Sequence, residues 1–394
     1  MQTTRRIHAH RGVVGALAAL LATLALVNVW PTARDPVVWT PDALYYQTRL
    51  LELRGDSQDA ALAKTFGGPL SAELRARDPN HTGNPAWVEY NEPFYERRVA
   101  FPLAGAAVYP AAGDRSLLYL SLAGYVATIV TLFAFLLLRF RMLIATLVTG
   151  ATVVLPPLVN HSSYPLTDSW GLALEVTAFS AAVLALDRGL RWLPLWIGAL
   201  ALLGFTRDST WIPILAVGWC ALRYRTRVPV TLFATGIAAA IPAVLLFETP
   251  VRDLLAFNVN GSEPSSDTSW GFILGHYPDA VVDLVRSNVG FLRRGEWYTL
   301  LYVIGGLLAL LAVLWRRPPA RDVVTNLLAA ATVVGVVYVL AAPVFSAFRL
   351  ELVFVPMAAF GLALVAELAL AWLAVRHAVF ARFAPPFPVP ARRT

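Results

Sequence analysis

Ten apolar stretches constrain what this chain can fold into. They are residues 12–30, 116–138, 142–159, 169–186, 193–206, 211–222, 228–247, 297–315, 323–345 and 350–375. Most are close to the roughly 20 residues that a helix needs to cross a bilayer. A backbone inside lipid must satisfy its hydrogen bonds within its own segment, which favours helices. We therefore predict an all-α integral membrane protein with about ten transmembrane helices, forming a single domain over residues 1–375.

The composition agrees with this fold class. Hydrophobic residues make up 57% of the chain and charged residues only 14%, against about 25% charged residues in an average soluble domain. The net charge of +7 is not evidence for a nucleic-acid partner, because in membrane proteins the position of charges matters more than their sum. We predict the lipid bilayer as a partner and no nucleic acid.

The placement of arginines predicts the orientation. Alternate connections between the apolar stretches are short arginine-rich turns that hold only two acids, Asp187 and Asp322. Basic residues favour the cytoplasmic side, so we expect both termini in the cytoplasm and the long loops outside. The alanine- and arginine-rich chain suggests a bacterial plasma membrane. Residues 12–30 also resemble a signal peptide, but the bulky Trp30 favours an uncleaved first helix.

The first outer loop, residues 31–115, is predicted to contain short helices. Thr40 is a suitable N-cap for the first of them, and Gly55 lies just beyond its expected end. Residues 57–66 and 71–77 are two further candidates. We therefore predict that the loop is folded and packs against the membrane domain.

Other polar regions are less regular. Residues 80–93 have no periodicity, and we predict an extended segment. Residues 99–110 are apolar but too short to span a bilayer, which indicates an interfacial or re-entrant piece. The second outer loop, residues 248–296, has apolar residues at helical spacing over 278–292, which predicts a helix on the membrane surface. Residues 376–394 are predicted to be a disordered cytoplasmic tail.

Asp42 is the first candidate catalytic residue. It follows the first apolar stretch and stands beside Tyr45 and Tyr46, which are candidate substrate contacts. A carboxylate in this position can deprotonate a hydroxyl acceptor. An acid in the first turn of a helix also complements the helix dipole, so a structural role is the alternative.

Arg97 and Arg98 stand where the chain approaches the membrane again. Guanidinium groups present planar, bidentate donors that suit a phosphate. We consider both arginines as substrate-binding residues, with anchoring in lipid headgroups as the alternative.

A polar turn between two apolar stretches, residues 160–170, contains His161 and Asp168. His161 is a candidate substrate contact. Asp168 is either a catalytic acid or the N-cap of the following helix. Glu175 lies about two turns into that helix, and acids inside a membrane usually face a cavity or a partner.

Two more charged pairs and one lone acid complete the candidates. Arg207 and Asp208 join two short apolar stretches and either pair with each other or serve in substrate binding and catalysis, respectively. Arg349 and Glu351 likewise either pair with each other or belong to the site. Glu367, deep in the last stretch, is expected to pair within the bundle.

No metal site or cofactor is predicted. The histidines expected outside the membrane, His81, His161 and His276, lie far apart without the paired spacing of metal ligands. The chain also has no glycine-rich phosphate loop.

Together these features resemble the GT-C class of polytopic glycosyltransferases. The likeness rests on a first helix, a long loop with an early acid (Asp42), and a returning segment with Tyr95, Arg98 and Pro102. It continues in an outer turn with Tyr164, Pro165 and Asp168 and in the sequence Thr206-Arg207-Asp208. The bacterial polyprenyl-phosphate-dependent mannosyl- and arabinosyltransferases are the most similar type.

The resemblance implies transfer of a sugar from a polyprenyl-phosphate donor to a glycan or glycolipid acceptor on the outer face. It implies a first-loop acid as general base, here Asp42. Asp168 and Asp208 are our next candidates for the base, from their positions in the sequence. The resemblance also implies arginines at the donor phosphate, for which Arg98, Arg207 and Arg349 are the matching positions. A membrane transporter and a non-catalytic protein that handles lipid or polysaccharide are the alternatives.

Overall fold

A computed structural model describes residues 2–31, 37–247, 250–294, 296–316, 323–344 and 346–376 of the chain. These residues form eighteen α-helices joined by short 3₁₀ turns, and they contain no strand. The predicted all-α class is therefore confirmed. The predicted tail lies almost wholly outside the described residues.

The helices follow one another along the chain in five groups. The first group is one helix, α1 (Gln2–Val29). The first loop contributes α2 (Pro41–Leu53), α3 (Gln58–Thr65), α4 (Ala72–Arg77), α5 (Pro85–Asn91) and α6 (Ala100–Ala112). The third group is α7 (Ser116–Leu137), α8 (Met142–Val153), α9 (Pro156–Ser162), α10 (Asp168–Arg188), α11 (Leu193–Gly204), α12 (Trp211–Tyr224) and α13 (Arg227–Leu246). The second loop has α14 (Val251–Val259) and α15 (Trp270–Arg293), and the last group is α16 (Trp297–Arg316), α17 (Val323–Ala341) and α18 (Val355–Arg376).

Several helices have the length and composition of membrane spans. Among the described residues six are long and apolar enough to cross a bilayer, or up to eight if each of two bent helix pairs is one span. The prediction of ten also counted α11 and α12. With 12 and 14 residues these helices are about 18 and 21 Å long, short of the roughly 30 Å hydrocarbon core.

Many large apolar side chains on the outside of the bundle have no protein cover. Leu222, Leu245 and Leu246 are 74%, 77% and 68% exposed. Such a band of exposed leucine is costly in water, whereas lipid solvates it at no cost. The fold is that of a multi-pass membrane protein.

Helices α6 and α7 form a hairpin. A Cβ atom on Gly105 would lie 2.5 Å from Leu117 Cδ2, whereas a straight helix separates residues twelve apart by about 18 Å. The chain reverses at Gly113, which has a φ of 56° that favours glycine. Helix α6 therefore packs between α2 and α7.

Ion pairs define the two ends of the bundle. At one end, Asp168 at the start of α10 meets Arg207 after α11 and Arg349 before α18; we call this the loop end. At the other, Arg139 after α7 pairs with Asp187 near the end of α10. Glu367 of α18 pairs there with Arg141, as predicted for a partner within the bundle. We call this second end the turn end.

The first loop has a core of its own that continues into the bundle. Leu44, Tyr46 and Phe101 are buried in it together with Leu117 of α7 and Leu166, which precedes α10. The loop therefore lies over the loop end as a cover and does not stand apart as a separate unit.

Local signals placed most loop helices correctly. Thr40 caps α2 and Ser57 caps α3 through hydrogen bonds to backbone amides. The extended segment expected over residues 80–93 is wrong, because α5 forms there. Asn84 accepts from the Ala86 amide as its N-cap, and Pro85 holds its first position, a start signal that outweighs the missing periodicity.

Candidate functional site

The loop end holds a cluster of charged side chains drawn from five parts of the chain. The members are three acids and four arginines, which we call the loop-end cluster. They are Asp42, Asp168, Asp208, Arg97, Arg98, Arg207 and Arg349. The structure thus brings together every charged residue that the sequence put forward for catalysis or substrate binding.

Asp168 lies at the centre of the cluster and has no exposed side-chain surface. Arg349 Nε donates to both carboxylate oxygens at 2.8 Å, and Arg207 Nη1 donates to Oδ1. The N-cap interpretation of Asp168 is wrong: Thr167 precedes the helix, and Asp168 already belongs to its first turn. Two guanidinium groups hold this carboxylate where a cap would have bound backbone amides.

Gly171 provides the space for Arg207. A Cβ atom on Gly171 would lie 2.4 Å from Arg207 Cδ and 2.9 Å from Cγ. Asp168, Gly171 and Glu175 share one face of α10, because they are three and four residues apart. Glu175 is only 1% exposed, and its Oε1 has no hydrogen-bond partner among the described residues. A second buried acid therefore lies on the α10 face that Arg207 crosses.

Asp42 is held from two sides in the first turn of α2. The Tyr95 hydroxyl donates to Oδ1 at 2.6 Å, and Arg349 Nη1 donates to Oδ2. Burial raises the pKa of Asp42, but Arg349 and the Tyr95 hydrogen bond outweigh it and hold that pKa below its usual value. The Asp42 side chain keeps 23% of its surface exposed, so it is more accessible than Asp168.

Arg97 and Arg98 both pair with Asp208, the second of these at 3.2 Å. The internal pair expected between Arg207 and Asp208 is therefore wrong. Arg207 has an extended backbone, with φ −153° and ψ 159°, and successive side chains on an extended chain point in opposite directions. Arg207 turns toward α10, while Asp208 turns toward the first loop.

Arg349 does not pair with Glu351, contrary to one expectation from sequence. It bridges Asp42 and Asp168, while Glu351 accepts from Asn288 of α15 at 2.7 Å. Residues two apart in a helical turn do not face each other. Arg349 thus ties the first loop to the bundle.

The predicted tyrosines and histidine surround the cluster. Arg98 donates to the Tyr46 hydroxyl at 3.0 Å, and that hydroxyl also lies 3.2 Å from Thr167 Oγ1. Tyr45 stacks on Tyr95 with ring centres 4.5 Å apart and donates to the Val88 carbonyl. His161 is buried with Nε2 3.2 Å from the Ala347 carbonyl, so it fixes the segment before Arg349.

The sequence analysis named Tyr95 only as part of the returning segment, without a role in the site, and it did not name Thr167. Tyr95 binds Asp42 directly, and Thr167 contacts Tyr46. Tyr95 stands two residues before Arg97, and a tyrosine so close to a candidate phosphate-binding pair was the available signal. No sequence signal indicated a role in the site for Thr167, because a threonine before a helix is typical of an N-cap.

Two observations bear on ligand binding near the cluster. Arg97 Nε and Arg98 Nε are buried and lack a hydrogen-bond partner among the described residues. A pocket of about 350 Å³ opens beside Tyr45 and Tyr95. Its wall also includes Arg49, Glu52 and Glu92, so polar groups line a cavity that adjoins Asp42 through Tyr95.

No protein-family model and no curated protein matches this sequence. In the part of the chain that the structure describes, no three His, Cys, Asp or Glu side chains are grouped to hold a metal ion.

Proposed function

We propose that the protein is a membrane glycosyltransferase that moves a sugar from a polyprenyl-phosphate donor to a glycan or glycolipid acceptor. The observation that carries the proposal is the loop-end cluster itself, where four arginines outnumber three aspartates at the end of an apolar bundle. A phosphate on a lipid tail matches this pairing, because its charge suits the arginines and its tail suits lipid-facing helices.

The spare donors support binding of the phosphate. Arg97 Nε and Arg98 Nε point to no described acceptor, and a buried guanidinium N–H without a partner is costly. Phosphate oxygens would satisfy these donors. They would also neutralise the positive charge by which the four arginines exceed the three aspartates.

In the proposed reaction an acceptor hydroxyl attacks the anomeric carbon of the donor sugar. The bond between that carbon and the phosphate oxygen breaks, and polyprenyl phosphate leaves with the electron pair. Asp42 takes the hydroxyl proton as general base. The arginines stabilise the negative charge that develops on the leaving phosphate.

Arg349 links the two halves of this mechanism. In the structure it occupies Asp42 Oδ2, and an ion-paired carboxylate with a lowered pKa is a weak base. Contact between Arg349 and the donor phosphate would loosen this pair and raise the basicity of Asp42. Asp168 then acts as a positioning residue, since it holds Arg207 and Arg349 without reaching solvent.

In this function the cluster lies on the outer face of a bacterial plasma membrane, with both termini in the cytoplasm. Reporter fusions after Arg225 and after Asp168 test this orientation, because the two positions lie at opposite ends of the bundle. We expect the first to report inside and the second outside. The reverse pattern would remove the outer-face assignment.

The test of the base compares two acids in equivalent positions. Asp42 lies in the first turn of α2 and Asp59 in the first turn of α3, where it is exposed. In proteoliposomes with a panel of polyprenyl-phosphate hexoses and pentoses and a glycolipid fraction, wild type should release polyprenyl phosphate. We expect Asp42→Asn to slow release by about 10²- to 10⁴-fold and Asp59→Asn to leave it unchanged. Full activity of Asp42→Asn would exclude Asp42 as the base.

A further inference from the structure

An apolar groove lies on the lipid-facing side of the bundle, away from the loop-end cluster. It has a volume of about 810 Å³ and runs between α12, α13, α16 and α17. Trp219, Leu222, Val230 and Val333 line it, and these four side chains are 48–74% exposed. The groove is thus a furrow open on the outside of the bundle, with large apolar side chains partly exposed along it.

The small residues on its walls explain why the furrow exists. Ala329 and Ala330 of α17 face Gly218 of α12 across it. A Cβ atom on Gly218 would lie 2.7 Å from the ring of Phe233 on α13, so glycine allows α12 and α13 to pack closely on one side. On the other side, alanines leave an open channel.

One end of the groove is basic. Arg223 forms part of its wall, together with Asn326 in the first turns of α17. Arg223 lies in the last turn of α12, Arg225 follows α12, and Arg227 is the first residue of α13; all three arginines are exposed. Within the described part of the chain, none of these arginines forms an ion pair with an acid. The turn end of the groove therefore carries Arg223 in its wall, with Arg225 and Arg227 within four residues of it.

This basic end is remote from the loop-end cluster. Helix α12 begins four residues after Arg207 and ends at Tyr224, so its 14 residues separate the two regions by about 21 Å. From Leu215 to Arg223 the groove follows α12 for about 12 Å. An apolar furrow of this length ending in cations matches an acyl chain attached to an anionic headgroup.

We propose that this groove is a binding site for an anionic phospholipid, with one acyl chain between α12 and α17 and the headgroup at Arg223, Arg225 and Arg227. The site is independent of the proposed glycosyl transfer, which uses the opposite end of the bundle. The apolar walls hold the acyl chain. The arginines favour an anionic headgroup over a zwitterionic one.

The test uses native mass spectrometry of the full-length protein in detergent, titrated with phosphatidylglycerol or with phosphatidylcholine. We expect wild type to retain phosphatidylglycerol at least about tenfold more tightly, since each arginine near a headgroup contributes on the order of one factor of five. Substitution of Arg223, Arg225 and Arg227 by Gln should abolish that preference. The matched control is Arg188→Gln with Arg191→Gln, two exposed arginines in another connection of the turn end.

A second variant tests the groove separately from the charge. Ala329→Phe fills the channel from α17 and should weaken retention of both phospholipids while a thermal melt remains cooperative. Equal retention of the two lipids by wild type would overturn the proposal. So would loss of the preference in the Arg188/Arg191 control to the same extent as in the triple variant, because general surface charge would then explain the binding.

Discussion

The two ends of the bundle carry ion pairs of different kinds. At the loop end, Asp168 is fully buried and bound by Arg207 and Arg349. At the turn end no paired acid of the described residues is fully buried: Arg139 and Asp187 lie 2.7 Å apart with 32% and 37% of their side chains exposed, and Arg141 and Glu367 keep 25% and 14%. The helices are the same at both ends, and the difference comes from the first loop, which covers only one of them.

Burial changes what each pair contributes. An exposed ion pair is worth about 0–1 kcal/mol, whereas removal of one partner from a buried pair costs about 3–5 kcal/mol because a charge is left without compensation. A protein keeps such a cluster buried only at a cost in stability. That cost is understandable where the arginines have a ligand to bind.

The largest expected effect compares one acid from each end. Asp168→Asn leaves Arg207 and Arg349 without their shared carboxylate and should lower the free energy of unfolding by about 3–5 kcal/mol. Asp187→Asn should lower it by less than about 1 kcal/mol. Unfolding in SDS titrations, followed by circular dichroism, measures both. Equal losses would show that the two ends do not differ in the way proposed.

The next largest effect is expected from a comparison of alanine substitutions at two glycines, Gly171 and Gly198. Gly171→Ala places a methyl group against the buried Arg207 side chain and should destabilise the protein by about 1–3 kcal/mol. Gly198 of α11 has no atom within 4 Å of the added Cβ. Gly198→Ala should therefore be neutral or stabilise by up to about 1 kcal/mol. The same SDS titration applies, and a tolerated alanine at 171 would mean that Arg207 is loosely held.

The smallest effect is a pH dependence at the loop end. The folded-state pKa of Asp42 is lowered, so its contribution to stability is present above the unfolded-state pKa of about 3.9 and is lost as the pH falls through the folded value. Thermal stability should be flat from about pH 5 to 8 with respect to Asp42 and decrease below about pH 4.

Asp42→Asn removes part of that decrease, whereas Asp59→Asn should retain it. Melting temperatures of the three proteins between pH 3 and pH 8 provide the measurement. A wild-type acid slope in Asp42→Asn would mean that Arg349 does not stabilise the Asp42 carboxylate in solution.

The fold was predictable where signals are local. Thr40 and Ser57 started helices as expected, and long apolar stretches became helices of span length. The reversal at Gly113 was not predicted, because it depends on packing between Gly105 and Leu117. Such a contact is not visible in the periodicity of either segment.

The sequence predicted which residues belong to the site but not which of them form ion pairs with one another. The predicted topology placed Asp42, Asp168, Arg207 and Arg349 on the same side of the membrane, because every second connection between spans lies on that side. Which acid meets which arginine depends on backbone direction, and the extended conformation at Arg207 separates it from Asp208. Side-chain partners across 181 residues, as for Arg349 and Asp168, need the folded geometry.

The central claim is that the loop-end cluster binds a polyprenyl phosphate. The most direct measurement is the affinity of undecaprenyl phosphate for purified wild type, Arg98→Gln, Asp42→Asn and the turn-end control Arg141→Gln. We expect Arg98→Gln to bind at least about tenfold more weakly, Arg141→Gln to match wild type, and Asp42→Asn to bind equally or more tightly because a negative charge is lost. Wild-type affinity in Arg98→Gln, or equal weakening in all three variants, would contradict the claim.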